Sequence, residues 1–231
     1  MKYILSTLLL MLQFSLFSQT KDEVINKVIA EYSLKKPLQY HATYNLYKDY
    51  NSHNVNQSYT GEYYKNELDD TYVKIDQTEY FITKKLTAQI SHSEKAILIS
   101  STTGIQQEFD IKEFLKVLSI GEFKDLKTHW EVELLPKNFS GLPYSKVVLH
   151  IGKNYLLKKQ VFYYNTAMNF SEDYKKNDLS YPRLEITFKD VNRNAISAKQ
   201  FDTSKIFVLK GGKINLSAGY SNYQLIDQRL K

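Results

Sequence analysis

The stretch RLEITFKDV (residues 183–191) decides the class of fold, because it alternates apolar and polar side chains from its second residue to its seventh. Leu184, Ile186 and Phe188 would lie on one face of an extended chain, with polar residues on the other face. A period of two residues is typical of a strand with one buried face. Tyr, which strands favour, occurs 19 times in the 231 residues. The sequence therefore predicts a mostly β protein.

Shorter segments with the same character precede and follow this stretch at regular intervals. They predict strands at Tyr40–Leu46, Tyr59–Tyr63, Tyr72–Ile75, Glu79–Thr83, Leu86–Ser91, Lys95–Ser100, Trp130–Leu135, Ser145–Ile151, Leu156–Tyr164 and Ile206–Leu209. The polar segment 165–182 predicts a long loop, and Gly211-Gly212 predicts a turn. The spacing of the strands favours an antiparallel meander.

Two capping-box patterns predict helices that interrupt the strands. The pairs are Thr20 with Glu23, and Asp110 with Glu113. The first helix would bury the stripe Val24, Ile25, Val28, Ile29 and Tyr32, and the second would bury Ile111, Phe114, Leu115 and Leu118. This order of elements predicts an α+β fold dominated by β structure. Its sheet would be a strongly curved antiparallel sheet, or incomplete β-barrel, with helices covering the concave face and leaving an apolar cavity.

The first 18 residues have the pattern of a cleaved export signal. Lys2 gives a charged start, and the mostly apolar run 4–12 is too short for a membrane span. We expect cleavage near Ser18 and Gln19, which leaves residues 19–231 as one domain; a retained N-terminal anchor is the alternative. The chain has no cysteine, which excludes disulfides, thiol catalysis and a lipidated N-terminal Cys, so the protein is not itself a lipoprotein.

The residues that could carry chemistry form no catalytic or metal-binding motif. Five His residues are scattered without the spacing of metal ligands, and Asp69-Asp70 fits a turn better than a carboxylate pair. No nucleophile motif is present. We therefore expect that the protein is not an enzyme and that it binds neither a cofactor nor a metal. The net charge of +6 fits a Lys-rich surface with mild attraction to anionic membranes, and export argues against nucleic acid as a partner.

Several segments resemble the LolA family, periplasmic carriers of lipoproteins to the outer membrane. They are YHATY (40–44), YTGEYYK (59–65), YFIT (80–83), EVELLPK (131–137), VVLHI (147–151), residues 156–164, and the pair of segments at 186–188 and 206–207. The resemblance covers most of the chain after residue 18 and lies in element order and local pattern. Two places differ from the family. Lys65-Asn66-Glu67 stands where a basic residue with Pro is usual, and Lys84-Lys85 replaces an Asp-Gly turn.

The resemblance implies a soluble, monomeric periplasmic carrier. It would bind lipid, or lipoprotein acyl chains, in an apolar cavity by non-covalent capture and release, with helix movement opening the cavity. Membrane-associated donor and acceptor proteins would be its partners. The two differences favour an alternative, an exported scaffold or assembly module that keeps the fold without lipid transfer.

Alternation along the strands and the helical stripe together predict the lining of the cavity. The predicted lining is Tyr44, Leu46, Tyr63, Val73, Ile75, Ile82, Ile97 and Ile99 from the sheet, and Phe114, Leu115 and Leu118 from the covering helix. A shift of one residue in strand register would move such a set to the other face.

Overall fold

A computed structural model describes residues 19–102, 115–138, 140–173 and 175–229. The predicted export signal and most of the predicted second helix, including Phe114, lie outside the described residues.

One large curved sheet dominates the fold and does not close into a barrel. Its strands are β1 Leu38–Tyr47, β2 Val55–Lys65, β3 Thr71–Ile75, β4 Thr78–Ile82, β5 Leu86–Ser91, β6 Ala96–Ser101, β7 Leu118–Asp125, β8 His129–Pro136, β9 Tyr144–Gly152, β10 Leu157–Tyr164, β13 Arg183–Asn192 and β16 Gln224–Gln228. Their order across the sheet is β16-β6-β5-β4-β3-β2-β1-β13-β10-β9-β8-β7. All neighbours are antiparallel except β16, which runs parallel to β6. The predicted fold class is confirmed.

Two short hairpins stand apart from the large sheet. One consists of β11 (Met168–Asn169) and β12 (Leu179–Ser180), within the segment predicted as a loop. The other joins β14 (Phe207–Lys210) to β15 (Lys213–Leu216) through Gly211 and Gly212, whose φ angles are +57° and +77°. These positive φ values are the reason that two glycines form the predicted turn.

Helix α1 (Lys21–Tyr32) begins as the sequence predicts. The Thr20 hydroxyl accepts a hydrogen bond from the Glu23 backbone N–H, and the Glu23 carboxylate accepts one from the Thr20 N–H, at 3.3 Å and 2.9 Å. This reciprocal pair completes the capping box. The buried stripe of α1, Val24, Ile25 and Val28, packs on the large sheet.

The first core lies between α1 and one face of the sheet, which we call the helix face. Its buried sheet residues are Leu118, Trp130, Val132, Leu134, Val147, Leu149, Ile151, Leu157 and Phe162. They come from strands β7 to β10, and the side chains of β13 at positions 184, 186 and 188 pack against them. The helix therefore covers the half of the sheet that contains β7 to β10.

A second core lies on the opposite face, over strands β3 to β6. Its buried members are Tyr72, Phe81, Ala88, Ile90, Ile97, Ile99, Ile206 and Phe207. The C-terminal segment 198–229 supplies the cover, with Phe201, Ile214 and Leu225 packed against the cluster. His92 fixes this segment because its Nδ1 lies 2.9 Å from the Tyr223 hydroxyl, while its Nε2 lies 2.8 Å from the Glu79 carboxylate.

Within the large sheet, the structure differs from the prediction at two strands. Residues 115–117 are helical, but Leu118 begins β7 instead of continuing a helix, and its side chain is buried in the first core. β16 was not predicted, because its exposed and polar residues show no apolar alternation. The part of the chain that the structure describes holds no helix with the length and apolar character of a membrane span.

Candidate functional site

The register of the strands lines up apolar side chains on the helix face beyond the area that α1 covers. Tyr40 of β1 is directly opposite Tyr63 of β2, which is opposite Val73 of β3, and Val73 is opposite Tyr80 of β4. Directly opposite residues project to the same face of a sheet. These four side chains therefore form one apolar row across four strands, and each of them is half-buried.

Aromatic contacts connect this row with the first core. The rings of Tyr40 and Tyr63 stack with centroids 4.7 Å apart and planes 5° apart. Phe188 of β13, which packs against the first core, meets Tyr40 edge to face at 5.1 Å. Both are favourable arrangements of aromatic pairs. The apolar surface is thus continuous from the core under α1 to the middle of the sheet.

A second row, made of two cross-strand pairs of β1 and β13, lies on the same face beyond Ala42. Tyr44 of β1 is opposite Ile186 of β13, and Leu46 is opposite Leu184. A Cβ atom at Gly61 of β2 would come within 3.0 Å of the Tyr44 ring and 2.9 Å of a backbone oxygen. Only glycine therefore leaves enough space for the Tyr44 ring at this position. Burial raises the pKa of Tyr44, which keeps its hydroxyl neutral. The row therefore carries no charge at this point.

Six of the predicted lining residues share this face. Following the cross-strand partners places Tyr44, Leu46, Tyr63, Val73, Ile75 and Ile82 on the helix face. Their role in binding a ligand stays a prediction. Leu115 and Leu118 pack in the first core near α1, and Phe114 lies outside the described residues.

Ile97 and Ile99 lie on the opposite face from the other six. Both are 0 % exposed, in the second core under the C-terminal segment. The residue between them, Leu98, is opposite Gln89, which is opposite Tyr80, so Leu98 lies on the helix face. Residues 97 to 99 are all apolar, so alternation alone could not decide which of them share a face with the other six. The choice of Ile97 and Ile99 over Leu98 selected the opposite face.

The prediction also left out Tyr40 and Tyr80, which complete the first apolar row. A signal for both was available in the sequence. Tyr40 has the same phase as Tyr44 in β1, and Tyr80 has the same phase as Ile82 in β4. Extending each alternation to the start of its strand would have found them.

A cleft of about 400 Å³ opens between the end of α1 and one end of the helix face. Its lining is Tyr32, Ser33, Leu34, Lys35, Lys65, Asp69, Thr71, Thr83, Lys84 and Thr102. Pockets for small ligands typically have volumes of roughly 300–1,000 Å³. Three lysines, one aspartate and several hydroxyl groups place polar atoms in this cleft, and the rest of its surface is apolar.

Tyr32 ties the end of α1 to the sheet at this cleft. Its hydroxyl oxygen accepts a hydrogen bond of 3.1 Å from the backbone N–H of Leu157. Burial raises the pKa of Tyr32 to about 12, and the Leu157 N–H only partly offsets this effect. In the folded protein this hydroxyl therefore stays neutral at pH values well above 10, the approximate ordinary pKa of tyrosine.

The raised pKa of Tyr32 predicts a loss of stability at alkaline pH. Between about pH 10 and pH 12 the unfolded state loses this proton while the folded state keeps it, so the free energy of unfolding falls as the pH rises. Urea unfolding at a series of pH values would measure the slope. We expect a shallower slope for Tyr32→Phe than for the wild type. Identical slopes in the two proteins would contradict this assignment.

Comparison with solved structures gives fold-level similarities. An uncharacterized conserved protein from Thermus thermophilus has a TM-score of 0.50 and 12% identity, over 91% of this chain and 100% of that chain. A DUF1329 family protein from Desulfovibrio piger has a TM-score of 0.38 and 11% identity, over 78% of this chain and 95% of that chain. A LolA superfamily protein from Nitrosomonas europaea has a TM-score of 0.36 and 12% identity, over 81% of this chain and 99% of that chain.

The Nitrosomonas europaea structure is described as a LolA superfamily protein. Of the three structures, only the Thermus thermophilus protein reaches a TM-score of 0.50, and its likeness to this chain concerns the fold alone. No protein-family model matches the chain, and a search of curated proteins finds no match.

Proposed function

We propose that the protein is a carrier that binds a lipid, or the acyl chains of a lipoprotein, on the helix face of the sheet. The observation that carries this proposal is the apolar surface of the helix face, whose first row continues beyond the area covered by α1. An acyl chain laid along this surface gains about 0.8 kcal/mol for each methylene group removed from water. Burial alone therefore supplies affinity, and no catalytic group is needed.

The cleft at the end of the same face has polar groups that suit the head of an amphipathic ligand. Lys35 and Lys84 place positive charge at this end, beside one carboxylate, Asp69, while the apolar rows accept the chains. A ligand with an anionic or polar head and one or more acyl chains matches both parts of the surface. Lipids and lipoproteins have this chemistry.

Capture and release would leave α1 in place. Val24 and Val28 are fully buried between α1 and the sheet, so movement of this helix would expose the first core to water. We therefore place ligand entry along the part of the helix face that α1 does not cover. The proposal includes no covalent step.

The sequence supports a periplasmic location for this carrier. We propose that residues 1–18 are removed on export, and that residues 19–231 act as one monomeric domain between membrane-associated donor and acceptor proteins. The apolar run 4–12 and the resemblance of the later segments to the LolA family support this part of the proposal.

Mass spectrometry of organic extracts from the purified protein, paired with displacement of a fluorescent fatty-acid probe, tests the proposed function. We expect co-purified lipid at near one equivalent per chain and saturable displacement of the probe. A clean extract together with no probe binding would contradict the carrier function. That result would favour the exported scaffold, and capture of a stable partner would then be the next experiment.

A further inference from the structure

Two histidines and one glutamate converge on the face of the sheet opposite to α1. His129 and Glu131 are two residues apart on β8, so their side chains project to the same face. His150 of β9 is directly opposite Glu131. Their neighbours Trp130 and Leu149 point the other way, into the first core, which fixes the register of both strands. The three polar side chains are thus held together by two paired strands.

The distances within this cluster fit a shared ion. The His129 Nε2 and the His150 Nδ1 each lie 3.5 Å from the same oxygen, Oε1 of Glu131. All three ligand atoms lie within 4.8 Å of one another. Four ligands placed tetrahedrally at the usual zinc bond lengths of about 2.0–2.2 Å are separated by roughly 3.3–3.6 Å. The two nitrogen–oxygen distances therefore match the edges of a zinc tetrahedron.

A neighbouring hydroxyl group suits His129 to the role of a ligand. The His129 Nδ1 lies 3.0 Å from the Thr128 hydroxyl, and in the tautomer that donates this hydrogen bond the Nε2 lone pair is free towards Glu131. Each histidine side chain keeps about a fifth of its surface exposed, which leaves a path for the ion.

The lysines around the cluster are paired with other carboxylates. The pairs are Lys124 with Glu122, Lys146 with Glu133, and Lys159 with Glu185. Within the described residues, no lysine forms an ion pair with Glu131, whose carboxylate faces the two histidines. Glu131 is therefore available to bind a cation, although three positive charges stand near it.

We propose that His129, Glu131 and His150 form a Zn²⁺ site. Two imidazoles and one carboxylate leave the fourth position of the tetrahedron open to water or an external ligand. A cleft of about 260 Å³ adjoins the cluster, and Glu131 and His150 help to line it. The site lies on the other face of the sheet from the apolar rows, so it is independent of the proposed carrier function.

Equilibrium dialysis of the purified protein against Zn²⁺ alone, after treatment with a chelator, tests this site. We expect one equivalent of tightly bound Zn²⁺. His150→Gln and Glu131→Gln should each weaken binding at least tenfold, since each removes one of three protein ligands. Far-UV circular dichroism of the two variants would establish that they are folded.

His41→Gln is the matched control. His41 pairs with one carboxylate, Asp190 at 3.4 Å, but has no second histidine beside it among the described residues, so this variant should bind Zn²⁺ as the wild type does. Absence of saturable Zn²⁺ binding in the wild type would overturn the proposal. Equal affinity in folded His150→Gln and wild-type protein would overturn it as well, because the ion would then bind elsewhere.

Discussion

Val73→Asp is expected to remove binding of the fatty-acid probe, with a loss of affinity of at least tenfold. Val73 lies in the middle of the first apolar row, between Tyr63 and Tyr80. A carboxylate at this position would lose its hydration when an acyl chain covers it, and such desolvation costs several kcal/mol unless the charge is paired. Fluorescence displacement with the purified variant measures the effect.

Lys74→Asp provides the control at the next residue of β3. Because successive side chains of a strand point to opposite faces, position 74 lies away from the apolar rows. We expect probe affinity within about twofold of the wild type for this variant. An equal loss in both variants would mean that the helix face is not the binding surface, provided that both proteins melt as the wild type does.

Ile99→Ala is expected to lower the free energy of unfolding by about 2–5 kcal/mol, the usual cost of such a truncation in a core. Ile99 is 0 % exposed and packs in the second core beneath the C-terminal segment. Urea unfolding followed by circular dichroism measures this loss. Probe binding should be unaffected at temperatures where the variant remains folded, since the side chain does not reach the helix face.

Leu98→Ala should have the opposite balance of effects on stability and probe binding to Ile99→Ala. Leu98 is half-buried on the helix face, so its truncation should cost less stability than that of Ile99 and should weaken probe binding. If Ile99→Ala weakened probe binding and Leu98→Ala left it unchanged, the assignment of faces that follows from the strand register would be wrong.

The sequence predicted the strands well where one face is apolar and the other polar. β13 and β1 are examples, and their alternation also placed Tyr44 and Leu46 together on one face, the helix face. The capping box at Thr20 was equally informative, because all of its contacts lie within one helical turn. Local patterns therefore predict local structure and its orientation.

The rest of the fold depends on contacts between residues far apart in the chain. The strand β6 is apolar on both faces. The C-terminal segment covers one of these faces, and the other lies at the end of the helix face, which α1 does not cover. No pattern within β6 could reveal that cover. β7 was missed for a related reason: it contains Gly121 and an irregularity between Ile120 and Phe123, which interrupt its alternation.

The metal-ligand cluster illustrates the same limit. A search for ligands at helical spacing finds none, because His129 and Glu131 are two residues apart and His150 comes from the next strand. Only the pairing of β8 with β9 brings the three together. A His-x-Glu pair on a predicted strand is the signal that could have prompted a search for a cross-strand partner.

The position of β16 has a consequence for how the chain folds as it is made. Strands β3 to β6 are synthesised early, yet the cover of their apolar opposite face and the partner of β6 come from residues 198–229. A nascent chain therefore presents a bare apolar surface and an unpaired sheet edge for most of its synthesis. Such intermediates aggregate readily, so productive folding of this protein depends on keeping the chain apart from its copies until its last strand is available.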